Sequence, residues 1–226
     1  MKKLYWVSFK IRRAVRSVVS ILGLTVVTLG GVSDEPRQQR YCLSAPKIVQ
    51  HRDLPLVFAA GKYDIAQVRQ GKGVVPRISV DSFPSGYAIS LTATQKKDAF
   101  LKTMLPMILK VNEQIMMERQ RYLDIMSAKG RLSANDRAWL SALSQRYKVD
   151  FRNSHGMLLR LDVVPASLAL GQSAAESGWG LSGIAAQKNS PFGHRTRIRD
   201  RYTLKTFPSL KAAVEAYILN INTHPA

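Results

Sequence analysis

The chain has 226 residues, enough for one sizeable domain with extra segments, and Lys and Arg outnumber Asp and Glu 34 to 15, a formal net charge of +19. That balance favours an anionic partner such as nucleic acid, anionic lipid or an acidic wall polymer, and it says nothing about fold. The single cysteine, Cys42, excludes an internal disulfide and a thiolate metal site, and the histidines His51, His155, His194 and His224 make no HxxxH pair, so no metal or cofactor is expected.

The first 33 residues carry six of the cations and no acid. A basic region ends at Arg16, and Ser17 to Val32 runs uncharged, with Gly31 and Ser33 placed as a signal peptidase would want them. The run is short for a spanning helix, which needs roughly 20 apolar residues. Residues 1–33 are therefore either a cleaved export signal or an uncleaved inner-membrane anchor. Both readings place the remainder in the periplasm or elsewhere in the cell envelope, away from nucleic acid.

Residues 34–91 read as a linker or loosely structured arm, because Pro36, Pro46, Pro55, Pro76 and Pro84 and several glycines punctuate short apolar pieces. A helical extension is expected over 92–150. From Thr94 the apolar positions Phe100, Leu101, Met104, Leu105, Ile108, Leu109, Val111, Ile115 and Met116 follow helical spacing, which makes the methionines a core-facing stripe. Pro106 is expected to kink or split this helix. Gly130 ends it, and Ser133 with Asp136 caps a second helix, Ala134 to Lys148.

Over 151–226 a third helix starts at Pro165 and stops at Gly178. Its interior is nearly all small residues, which allow close packing on several sides and predict the central helix of the domain. Arg195 to Phe207 alternates, with Arg195, Arg197, Arg199 and Arg201 on one parity and Ile198, Tyr202 and Leu204 on the other, a short β-hairpin. A last helix begins after a Ser209 cap. The fold class is mostly α (α+β), with one small β element.

Glu176 lies in the last turn of the third helix if Gly178 caps it. The unpaired carbonyls there carry partial negative charge, and a Glu costs on the order of 0.3–1 kcal/mol where Lys or Arg would be favoured. Such local conflicts mark functional positions. Trp179 beside it is placed to exclude water, and a carboxyl in dry surroundings suits general-acid chemistry.

The segments "AAESGWG", "NSPFGH" and "FPSLKAAVEAYILNINTHPA" resemble the catalytic core of the lysozyme-like bacterial glucosaminidases of glycoside hydrolase family 73, and more closely its Bax-like branch. The resemblance covers about residues 92–226. It implies a lysozyme-like helical domain that hydrolyses peptidoglycan glycan strands. It also implies that Glu176 is the catalytic acid, with Trp179, Asn189, Phe192 and Tyr202 in the substrate-binding groove and Gly193 in the turn that shapes its floor.

Three departures stand out. The family usually reads Asn-Leu-Phe-Gly and then an apolar residue, where this chain has Pro191 and His194. Many members offer a further carboxylate in the hairpin, where this chain has only Asp200 among arginines. Relatives also continue past the "NTHPA" segment with another helix or two and a site tyrosine, so the resemblance implies a core incomplete at its C-terminus. One carboxylate is coherent with substrate assistance, in which the 2-acetamido oxygen of N-acetylglucosamine is the nucleophile. The rival readings are a wall-binding module without activity and a basic nucleic-acid-binding protein. The export segment and the lack of a nucleic-acid motif argue against the second.

Overall fold

The computed structural model describes residues 47–49, 62–83, 91–128 and 130–224. The export segment read over residues 1–33 lies outside the described residues. Among the described residues no helix is long and apolar enough to cross a membrane. The elements run β1 (Lys47–Val49), α1 (Ile65–Arg69), β2 (Ile78–Val80), α2 (Ala93–Ser127), α3 (Ala134–Tyr147), α4 (Ser154–Arg160), α5 (Ala166–Ser177), α6 (Gly183–Gln187), β3 (Arg195–Ile198), β4 (Arg201–Leu204) and α7 (Leu210–Thr223). The protein is mostly helical with small β elements, as its periodicities predict. The strands form two separate pairs, β1 with β2 in parallel and β3 with β4 as the expected antiparallel hairpin.

The 35-residue helix α2 organises everything else. Its N-terminus is fixed by a reciprocal capping box, in which Thr92 N–H donates to Gln95 Oε1 at 2.8 Å and Gln95 N–H donates to Thr92 Oγ1 at 3.3 Å. Pro106 neither splits nor ends it. Proline there removes one donor, but every residue from Thr103 to Leu109 is buried, so packing on all sides holds the helix through the missing bond. One side of α2, with Phe100, Met104, Met107, Ile108, Val111, Ile115 and Tyr122, joins the main core. The other side, with Leu105 and Leu109, meets Tyr63, Ile65 and Val75 in a second cluster. The methionine stripe is therefore only half a core stripe: Met104 and Met107 are fully buried, whereas Met116 and Met117 are 48% and 58% exposed.

Residues 62–83 differ from the loose arm expected of them. They carry α1 and β2, and Tyr63, Val75, Ile78, Val80 and Phe83 are buried. Arg77 Nη2 donates to Glu113 Oε2 at 2.6 Å and ties this segment to α2. Proline and glycine spacing concealed apolar residues too sparse to show a period.

The central helix is α2 and not α5. Helix α5 buries Ala169, Ser173, Ala174 and Ser177 and leaves Leu168, Gln172, Ala175 and Glu176 exposed. Its small residues permit a close approach on one side only. Pro165 sits one position before the helix as its N-cap, and Gly178 caps its C-terminus at φ 56° as expected. Helix α7 buries Leu210, Val214, Tyr217 and Ile218 completely or nearly so. This face packs into the main core with residues of α2.

Candidate active site

Two short segments meet at Glu176. The first is the end of α5. Ser177 Oγ donates to Ser173 O at 2.6 Å and accepts from Gly180 N–H at 2.8 Å, and Trp179 N–H returns to Ala174 O at 2.9 Å. Gly178, Trp179 and Gly180 all have positive φ, at 56°, 61° and 75°. A tryptophan in that region is strained, and such strain persists where the surroundings over-determine it. Here the indole stands edge-on to Phe100, with centroids 5.7 Å apart, and Lys97 Nζ lies 5.3 Å from its ring centre. The start of α5 is fixed from α2, where Asn112 donates to Val164 O at 2.8 Å and accepts from Val164 N–H at 3.2 Å.

The second segment is the loop Asn189 to His194. Asn189 takes φ 49°, and its Nδ2 donates to Phe207 O at 3.3 Å. Phe207 N–H donates to Lys188 O at 2.9 Å, so the loop is laced to the chain just before α7. Phe192 is buried and stacks on Tyr217 of α7, with centroids 4.1 Å apart and planes at 9°. Tyr217 in turn donates its hydroxyl to Gln172 Oε1 at 2.8 Å, one helical turn before Glu176.

Gly193 closes the arrangement. A Cβ at this position would lie 2.6 Å from Glu176 Oε2 and 3.3 Å from Cδ, and Gly193 has φ 66°. The carboxylate thus fills the space a side chain would need, and only glycine suits both the conformation and the approach. The Glu176 carboxylate makes no hydrogen bond or ion pair among the described residues, and no basic residue occupies the last turn of α5. It is exposed, so the dry surroundings expected from Trp179 are not present.

The remaining candidates are spread by environment. Phe192 is core packing that sets the loop, and Asn189 is turned to the backbone of Phe207. Trp179 is half-buried, and Tyr202 on β4 is 68% exposed. Asp200 sits at the hairpin turn and pairs with Arg197 at 3.1 Å, while Glu215 pairs with Lys211 on α7. Burial holds His194 below the usual histidine range, the Lys205 cation adds to this, and a backbone contact at Ala216 opposes both. Its ring lies edge-on between Phe192 and Phe207. The sequence reading missed Gln172 and the hydroxyl of Tyr217, because helical spacing marks Tyr217 only as an apolar position. Among the described residues no cluster of His, Cys, Asp and Glu could hold a metal ion.

Residues 157–226 match the glucosaminidase family model, described as mannosyl-glycoprotein endo-beta-N-acetylglucosaminidase. The matched span contains Glu176, Trp179, Asn189, Phe192, Gly193 and Tyr202. The chain is also similar to "Protein bax" of Escherichia coli (strain K12), with 35% identity over 158 residues that cover 64% of this chain and 54% of that protein. It therefore spans about half the length of that curated relative. No solved structure matches the chain. Over residues 157–226 the chain is thus similar to glucosaminidases.

Proposed function

We propose that this chain is a peptidoglycan hydrolase of the cell envelope that cleaves the β-1,4 bond after N-acetylglucosamine, with Glu176 as general acid. The observation that carries this reading is the unpaired, exposed carboxylate at the C-terminal end of α5, seated against the backbone of Gly193. Stability gains nothing from an acid at that helix end, whereas a loop that leaves room only for that carboxyl makes sense as a positioning device. The proton of Glu176 goes to the glycosidic oxygen as the C1–O bond breaks. The 2-acetamido oxygen of the same sugar attacks C1, and water then opens the cyclic intermediate, returning a proton to Glu176. Asp200 and Glu215 are both engaged by neighbouring cations, which favours substrate assistance over a second protein carboxylate.

Glu176→Gln keeps size and hydrogen bonding but delivers no proton. It is expected to lower clearing of purified cell wall about 10²-fold or more with an unchanged melting temperature. Near-wild-type clearing by this variant would refute the assignment. The second reading, a wall-binding protein without activity, is favoured by the exposure of the carboxylate. Sedimentation of the unmodified chain with sacculi without any clearing band on a cell-wall gel would establish it.

A further inference from the structure

The hairpin register divides its arginines in a way the alternation alone does not reveal. In β3–β4, Arg195 faces Leu204, Thr196 faces Thr203, Arg197 faces Tyr202 and Ile198 faces Arg201. Residues directly opposite in an antiparallel pair share a face. The turn at Arg199–Asp200 reverses the parity, so Arg195, Arg197, Tyr202 and Leu204 lie on one face. Arg201 lies on the other, with Thr196, Thr203 and Ile198. Lys188 holds the Thr face, donating to Thr203 Oγ1 at 3.1 Å and Leu204 O at 3.2 Å.

We propose that the hairpin face carrying Arg195, Arg197 and Tyr202 docks the carboxylates of the acidic stem peptides attached to the glycan strand. This rests on the glycosidase reading above and adds the part of the substrate that the hairpin grips. Arg195 and Arg197 are neighbours on one face, about 7 Å apart along a strand, within the distance over which like charges repel in physiological salt. The segment 195–205 holds Arg195, Arg197, Arg199, Arg201 and Lys205 against the single acid Asp200. Among the described residues only Arg197 has an ion-pair partner there, and that partner, Asp200, is itself 94% exposed. Arg195 has no ion-pair partner among the described residues and Arg197 has only this solvent-exposed one, so an incoming carboxylate can engage both, with the planar guanidinium able to bind it in two-pronged fashion. Tyr202, directly opposite Arg197, adds an exposed amphipathic ring to the same face. The face begins at Arg195, two residues after Gly193, so a strand cut at Glu176 has its peptides within reach of the hairpin.

The test uses the full chain carrying Glu176→Gln, so that turnover does not consume the ligand. Sedimentation is measured with intact peptidoglycan and with the same glycan after an amidase has removed the stem peptides. Arg195→Gln with Arg197→Gln is expected to weaken binding to intact peptidoglycan by about tenfold or more, as charge-assisted hydrogen bonds do. The loss should fade at high salt, and binding to the stripped glycan should stay unchanged. Arg199→Gln with Arg201→Gln removes the same charge from the turn and the other face and is expected to leave binding intact. Equal losses in the two double variants would mean general attraction to net charge, and equal losses on the two ligands would mean recognition of sugar; either overturns the proposal. If the Glu176 assignment alone fails, the Gln variant still clears wall while the difference between the two ligands persists.

Discussion

Replacing Gly193 by alanine separates the cost of folding from the cost of positioning. Two penalties apply. The residue has φ 66°, and an L side chain there costs roughly 1–2 kcal/mol. For a domain of this size, that lowers the melting temperature by about 2–8 °C. The second penalty is steric. The new methyl would lie 2.6 Å from Glu176 Oε2, where ordinary contact begins near 3.4 Å, so the two groups must part by about 0.8 Å. The carboxylate is the far end of a flexible, exposed side chain and is the group that yields, so the clash adds little to the loss of stability. A displacement near 1 Å costs a reaction about 10²-fold. Gly193→Ala is therefore expected to lose about 10²-fold in kcat on purified wall while remaining folded at assay temperature. Gly178→Ala is the comparison: its φ is 56° and a Cβ there meets nothing within 4 Å, so it carries the backbone penalty without the clash. It should melt lower by a similar amount and lose less than about tenfold in rate, since no steric displacement acts on the carboxylate. Equal kcat in the Gly193 variant and the unmodified chain would refute the argument that this contact sets the carboxylate.

Tyr217→Phe removes the hydrogen bond to Gln172 and keeps the stack on Phe192, so it should cost about 0.5–1.5 kcal/mol in a denaturant titration. Tyr217→Ala removes the stack as well and should cost about 3–5 kcal/mol; similar values for the two would show that the ring does not hold the loop. His194 binds its proton less readily in the folded chain than the 6.5 of an exposed histidine, because of burial and Lys205. Above that pH neither state is protonated at this site and it contributes nothing. As pH falls below 6.5 the unfolded chain takes up the proton first, so stability is lost on the acid side. A His194→Leu variant should show a flatter decline of melting temperature between pH 7 and 5, and an unchanged slope would exclude His194 as its source.

The helices with amphipathic period or explicit caps were legible residue by residue. Ser133 and Ser209 each accept from a backbone N–H in the first turn, and Gly178 closes α5. The short helices α1, α4 and α6 were not, since five to seven residues span too few turns to display a period. Pro106 misled because propensity counts the lost bond and not the burial around it. The hairpin was legible as alternation, but its faces depended on the turn length, which decides whether parity survives the reversal. Glu176 was legible as a misplaced charge. Its seat on Gly193, and the chain of contacts from Phe192 through Tyr217 to Gln172, were not, because they join residues from three separate elements.

The buried length of α2 bears on where such a domain can be divided. The span 157–226 carries the family resemblance and the carboxylate, yet the wall against which α5 and α7 rest is made of Phe100, Met104, Met107, Ile108 and Val111, all upstream of it. The other side of the same helix is roofed by Tyr63, Ile65 and Val75. A chain shuffled at residue 157 would inherit the Glu176 carboxylate without the surface that gives it a place. The heritable unit of this architecture is therefore longer than its recognisable motif, and exchange between relatives should tolerate junctions inside α2 poorly.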